Sequence, residues 1–410
     1  MIKCKIKNVK KEINAVSSQI LNHHLNVSDN YKFGIEYFGP FLYGYTRWLY
    51  SSIKEKNYEK IFFLSRDGFM MKKAFDILNK KNIKCEYVYF SRKSIRQALL
   101  NKSRNYDESL TYLTKEHYIS FAKFLEYYGF PKSEQKKISI KYNIPLEKEY
   151  VFSKLKINKQ LEKIYYDNKE FINQYSIVQE ELLEKYIKQI GMNGKCAIVD
   201  IGWHGSMQFY LEEFFRVRNL NIYLDGYYVG INPVSDLVGN TFGYLYEKND
   251  LKLRKSVLCF LGVYERLFQS FEGSTIGYIE KNFNVKPELS KYEYENDKKA
   301  ICGMKEWQEG ALDFIKKISL RQDILVENKI WAIPLINVGK NPTNKQIKLF
   351  EFLYNVDGIK NYYVCQKSLW EYDLEEFIHS LSNSVWKTGF MKSAFKIPLP
   401  YFWIYELIRK

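Results

Sequence analysis

Apolar positions along the chain recur at two spacings, and polar clusters stand where one spacing gives way to the other. Behind Gly39-Pro40, the residues Phe41, Tyr45, Trp48 and Leu49 fall on one helical face, which predicts a packing helix. In KIFFLSRDGFMMKKAFDIL, residues 60–78, the apolar run 61–64 predicts a buried strand and 65–68 a turn. Met70, Ala74, Ile77 and Leu78 then predict the buried face of a helix. EYVYF at 86–90 predicts a second strand, ending in Ser91-Arg92-Lys93-Ser94. AIVDIGWHGSMQFYL at 197–211 repeats the arrangement: a strand over 196–199, Asp200 after it, and a short loop bracketed by Gly202 and Gly205. The helix that follows carries Met207, Leu211, Phe214 and Phe215 on one face. NIYLDGYYVGI at 221–231 predicts a further strand, with Asp225 expected near its end.

From about residue 100 to 190 the pattern is polar and helical. Thr114 is expected to cap a helix lined by Tyr118, Phe121, Leu125 and Tyr128, which Gly129 and Pro131 stop. A later helix carries Leu183, Tyr186, Ile187 and Ile190, and Gly191 ends it. Alternation of strand and helix predicts an α/β fold: a Rossmann-like, mostly parallel sheet with a large helical insertion and a helical C-terminal region. The expected units are 1–100, the first part of the α/β core with N-terminal helices; 101–190, the insertion; 191–285, the second part of the core; and 286–410, the helical C-terminal region.

Composition sets outer limits on this picture. With 410 residues, 46% of them hydrophobic and 17% aromatic, the chain has the means to build a large core and is not of the disordered class. The formal charge of +16 favours an anionic partner, but the lysines are scattered along the sequence, which makes nucleic acid an unlikely one. Six cysteines lie far apart without zinc spacing, so they are expected to be reduced and mostly buried. No signal peptide or membrane span is evident, and a cytoplasmic protein is expected.

Ligands of open parallel sheets bind outside the carboxyl ends of the strands, and three such ends carry polar clusters. The first is Ser65-Arg66-Asp67-Gly68, with Arg66 for a phosphate and Asp67 for magnesium, a hydroxyl or a proton. The second, Ser91-Arg92-Lys93-Ser94, adds two cations. The third runs from Asp200 through Gly202, Trp203, His204 and Gly205 to Ser206. There a carboxylate stands beside a loop and helix start whose NH groups suit a phosphate, the pairing a phosphorylated sugar needs. A phosphatase of the haloacid dehalogenase type needs a carboxylate where Ser65 stands, so that activity is not expected. A methyltransferase reading gives Asp225 a ribose to bind, yet His204 and Ser206 occupy positions where its loop needs glycines. A salt bridge at the first turn and a solvated edge at the second are the structural alternatives.

The order of these motifs loosely resembles type I phosphoribosyltransferases, although Val199 and Ile201 flank a lone Asp200 where those enzymes usually carry paired acids. FGPFLYGYTRWLY, FFLSRDGFMM, YVYFSRKS, IVDIGWHGSMQ and YERLFQSFEGSTIGY together resemble a bacterial polysaccharide-biosynthesis family over about residues 33–280. That family is often fused to a haloacid dehalogenase-like phosphatase domain, and the present chain looks like its transferase half.

The resemblance implies a glycan phosphoribosyltransferase. Such an enzyme moves ribofuranose 5-phosphate from phosphoribosyl diphosphate to a glycan or glycolipid acceptor, with a separate phosphatase acting afterwards. It further implies that 202–206 hold the 5-phosphate, that Asp200 holds the ribose hydroxyls, and that Arg66, Arg92 and Lys93 hold the diphosphate. Asp67 or Glu265 would do acid-base work, and Mg2+ on Asp67 and Asp200 would come with the donor.

Two other readings stay open: a nucleotide-sugar- or S-adenosylmethionine-dependent transferase, and a noncatalytic basic phosphate-binding protein. The aromatic, lysine-bearing stretch GFMKSAFKIPLPYFWIYELIRK, residues 389–410, suits either packing on the core or peripheral association with the inner face of the cytoplasmic membrane.

Overall fold

The computed structural model describes residues 2–22, 26–321, 326–357 and 359–408. At its centre lie five strands, β1 (Ile61–Leu64), β2 (Cys85–Val88), β3 (Gly194–Trp203), β4 (Ile222–Ile231) and β5 (Thr241–Gly243). They form one sheet in the order β2-β1-β3-β4-β5, and every pairing is parallel. An α/β fold with a Rossmann-like parallel sheet and a helical C-terminal region is therefore what this sequence builds.

Both faces of the sheet are covered, which is why its strands read as near-continuous apolar runs. Ile61 and Phe63 of β1 and Ala197, Val199 and Ile201 of β3 point to one face. The helices Gly39–Ile53, Gly68–Leu78, Leu261–Phe268 and Lys298–Ser319 cover it. Phe62, Leu64, Cys196 and Ile198 point to the other, against Arg92–Leu99, Lys169–Gln189 and Ser206–Val217. The helix Gly39–Ile53 starts where Pro40 can spare its missing NH, and it is buried on nearly all sides.

The insertion has its own core, drawn from Leu100 to Ile172 and centred on Phe121, Phe124 and Tyr128. The expected boundary at 190 is therefore corrected. Leu182, Leu183, Tyr186 and Ile187 pack on the sheet, because one long helix, Lys169–Gln189, serves both cores. The expected helix capped by Thr114 is also corrected. Tyr118 lies in a short strand, Tyr118–Ser120, and the helix Phe121–Tyr127 starts from Ser120, whose hydroxyl accepts from the Lys123 NH.

At the other end of the core, the expected boundary at 285 cuts through an antiparallel hairpin, Thr275–Lys281 with Asn284–Leu289. Its Tyr278 and Val285 are buried in the second face. All six cysteines are free, but only Cys196 and Cys259 are buried, so the expectation of mostly buried thiols is not met. Among the described residues no helix is long and apolar enough to cross a membrane.

The strand order reverses between β1 and β3, and this creates the crevice where ligands of such sheets sit. The last β1–β3 pair is Phe63 with Val199. β3 continues four residues further beside β4, to Trp203 with Ile231. Asp200 was expected after the strand but lies within it, one residue beyond the point where β1 leaves.

Candidate active site

Past that point a cavity of about 270 Å3 opens at the carboxyl end of the sheet. It is lined by Ser65, Arg66 and Asp67 after β1, by Ser91 and Arg92 after β2, and by Asp200, Gly202, Trp203, His204 and Ser206 from β3 and the helix beyond. Glu265 comes in from the helix Leu261–Phe268. The three strand ends and Glu265, distant in sequence, thus share one site.

Gly68, Lys93 and Gly205 were expected in the site but do not line the cavity. Gly68 packs on Phe63, where a Cβ would come within 2.9 Å of the Phe63 carbonyl carbon. Lys93 follows Arg92 by one helical step, about 100° round the axis, and pairs with Glu126 of the insertion. Gly205 adopts the left-handed conformation, φ 69°, that starts the helix Ser206–Val217. Its role is to aim the helix.

Three carboxylates, Asp67, Asp200 and Glu265, face the cavity and are half-buried. Burial raises the Asp67 carboxyl well above the usual range, and Asp200 and Glu265 raise it further against the pull of Arg66 and Arg266. Burial also pushes Asp200 up to about 6, opposed by the Ile201 NH and Arg92. Glu265 is raised by burial too, with Arg266 and a hydrogen bond from Trp203 Nε1 (3.2 Å) acting against it. Asp67 stands at the N-cap of the helix Gly68–Leu78, a position that suits its side chain, yet it makes no capping bond there. Its carboxylate is left for the cavity.

The same cavity wall holds the start of a helix. The helix Ser206–Val217 begins without a side-chain cap, leaving its first NH groups without side-chain partners beside Ser206 and Met207 of the cavity wall. Gly202 (φ 104°) and Trp203 (φ 71°) turn the chain toward it. At Gly202 a Cβ would meet the Gly230 carbonyl oxygen at 2.6 Å and Tyr228 Cβ at 2.7 Å. Gly202→Ala is therefore expected to destabilise the protein by roughly 2–4 kcal/mol. The midpoint of urea unfolding measures this, and an unchanged midpoint would show that the loop tolerates another path.

The arginines divide their work. Arg66 Nη1 pairs with Glu293 at 2.6 Å, and Arg266 pairs with the other oxygen of the same carboxylate. Burial alone would raise the Glu293 carboxyl, but Arg266 and Arg66 hold it below the usual range. Arg92, at the start of the helix Arg92–Leu99, is exposed and makes no ion pair among the described residues. Ser91 serves structure more than ligand: its hydroxyl accepts from the Ser94 NH at 3.0 Å in a capping box and also donates to the Thr275 carbonyl. Ser65 Oγ donates to the Phe90 carbonyl at 3.3 Å.

Sequence reasoning missed Phe90, Ile201, Met207, Gln269, Ser274 and Thr275 as lining residues. Arg266 lines the cavity as well and pairs with Glu293. Thr275 Oγ1 is buried without a hydrogen-bond partner. The signal for several of these was the polar run Gln269 to Thr275 in a segment otherwise aromatic. Asp225 does not reach the cavity. It lies mid-strand in β4, 1% exposed, accepting from Tyr58 Oη at 2.6 Å and the Asn240 NH at 3.0 Å. The ribose contact expected of it in the methyltransferase reading is therefore not made at this site.

Fold and site together define an open parallel α/β protein with an acid-rich, arginine-flanked cavity at its topological switch point. Comparison with known proteins returns no match, neither a described family nor a curated protein.

Proposed function

We propose that the chain is a glycan phosphoribosyltransferase, taking ribofuranose 5-phosphate from phosphoribosyl diphosphate. The observation that carries this reading is the gathering, around one small cavity, of three carboxylates, an uncapped helix N-terminus and Arg92, which makes no ion pair among the described residues. A sugar phosphate needs both halves: carboxylates for hydroxyls and the reacting centre, NH groups and a guanidinium for phosphate oxygens. The volume suits a compact ligand, with the acceptor approaching from solvent.

The donor set fits a magnesium ion that arrives with the substrate. Three carboxylates share the cavity, and a divalent cation arriving with the diphosphate offsets the repulsion between them and it. Among the described residues no group of three ligating side chains forms a metal cage, and Mg2+ held by substrate phosphates needs only one or two carboxylates. Asp67 and Asp200 would hold it, and when bound it neutralises the leaving diphosphate.

The rest of the chemistry falls to the chain. The helix start at Ser206 binds the 5-phosphate and Arg92 the diphosphate. Glu265, with one oxygen fixed by Trp203, has the other free to accept a proton. As the acceptor oxygen bonds to the anomeric carbon, the bond from that carbon to diphosphate breaks and its electron pair leaves on the diphosphate oxygen. The acceptor proton passes to Glu265. A single displacement inverts the anomeric centre, and nearby carboxylates stabilise the oxocarbenium-like charge.

Calorimetric titration with phosphoribosyl diphosphate tests the donor site, because it needs no acceptor. Micromolar binding that requires Mg2+ and is lost in Asp200→Asn and Arg92→Ala is expected. A signal from S-adenosylmethionine or a nucleotide-sugar, with none from phosphoribosyl diphosphate, would overturn the reading. Steep salt dependence with tolerance of Asp200→Asn would instead mark a phosphate-binding protein without catalysis.

A further inference from the structure

The C-terminal helix Tyr401–Ile408 is apolar on both sides. Tyr401, Phe402 and Tyr405 are buried against the protein. Trp403 and Leu407, one turn apart on the opposite face, are 60% and 46% exposed. Apolar side chains on two faces of a helix call for an apolar medium on both, and here the protein supplies only one. The six residues before it, 395–400, are all exposed, and Lys396 is the only polar one among them. Ile397 and Leu399 stand out at 49% and 44% exposure. Runs of exposed apolar residues this long are rare on surfaces facing only water.

The charge around this patch identifies its occupant. From 386 to 408 the only acid is Glu406. Lys392 reaches over the loop to the Ile397 carbonyl at 3.2 Å, Lys396 is exposed, and Lys340 Nζ lies 4.5 Å from the Phe402 ring centre. None of the three lysines is in an ion pair among the described residues. A second copy seated here by two-fold symmetry would set lysine against lysine. An anionic lipid surface accepts both features: aromatic and aliphatic side chains at the acyl boundary, ammonium groups at the phosphates.

We propose that the segment 395–408 docks on an anionic lipid surface, lying on it without crossing it. Ile397, Leu399, Trp403 and Leu407 enter the headgroup layer, while Lys392 and Lys396 face lipid phosphates. Docking of this kind is independent of the transferase reading and is measured without any donor or acceptor.

The test is cosedimentation with sucrose-loaded vesicles, either phosphatidylcholine alone or equal parts phosphatidylcholine and phosphatidylglycerol. The full chain is expected to bind the anionic vesicles at least about tenfold better than the neutral ones. Leu399→Asp with Trp403→Asp, and separately Lys392→Glu with Lys396→Glu, should each reduce that binding at least about tenfold. Leu399, Trp403 and Lys396 are exposed and Lys392 is half-buried with one bond to the Ile397 carbonyl, so thermal melting should change little and serves as the folding control. Equal binding to both vesicles, no binding, or insensitivity to either pair of substitutions overturns the proposal. A dimer in sedimentation velocity that the aspartate pair dissociates would also overturn it and assign the patch to a second copy.

Discussion

Under the proposed transferase reading, Asp67→Asn is expected to abolish transfer, by about 10^3-fold or more, while making the folded protein more stable at neutral pH. The loss follows from its place: a carboxylate that does not cap its own helix and faces Asp200 and Glu265 across the cavity. The gain follows from linkage. A carboxyl raised in the folded state keeps its proton longer there than in the unfolded chain. The stabilisation from that proton is full below about pH 4 and is lost as pH rises through the folded value. For Asp200 the window runs from its ordinary 3.8 to about 6. Asp67 is also raised, so its window opens at the same acidic end and extends upward.

As pH rises, ionising Asp67 beside Asp200 and Glu265 brings a repulsion that the amide does not carry. The variant should gain stability relative to wild type, and the gain should grow as pH rises from about 4. Urea unfolding at several pH values, beside turnover, checks both halves. Retained turnover would remove Asp67 from the chemistry, and a stability difference independent of pH would remove it from the charge cluster.

Arg266→Ala is expected to cost roughly 3–5 kcal/mol. This guanidinium is 7% exposed and is bonded on every side. It donates to Tyr363 Oη at 3.1 Å, Gln269 Oε1 at 2.8 Å and Asn355 Oδ1 at 2.8 Å, and it pairs with Glu293. Its removal leaves Gln269 Oε1 without its donor, takes one partner each from Tyr363 Oη and Asn355 Oδ1, which still bond each other, and leaves Glu293 with only Arg66. Arg66 is then drawn toward Glu293 and away from the cavity, so donor affinity should fall together with stability. Lysine should recover only part of the loss, because an ammonium cannot reproduce the planar fork. The denaturation midpoint measures the first effect and calorimetry the second. A cost below about 1 kcal/mol would show that water fills the space and that the cluster is no anchor.

Arg266 also marks where reading from sequence stops. The polar clusters at Ser65, Ser91 and Asp200 were legible because each follows an apolar run, and parallel sheets gather such clusters on one edge. Glu293 was not legible. It lies 227 positions from Arg66 and 27 from Arg266, in a stretch with no rhythm of its own, and only folding brings it between them. Lys93 was misplaced for a local reason. Sequence adjacency to Arg92 suggested a shared role, but one helical step sends the two side chains in different directions. The Asp225 error was of a third kind, since its place depends on how far β4 runs past it and on Tyr58 and Asn240 reaching its carboxylate.

The sequence by itself determined the class of fold and the three motifs that end its strands, because apolar period and polar punctuation are local properties written in consecutive residues. Only the tertiary structure decided which acids share one cavity, which arginine of that cavity makes no ion pair among the described residues, and which side of the last helix is left outside. Burial, charge pairing and exposure depend on elements far apart in the chain, and their energies exist only once those elements pack.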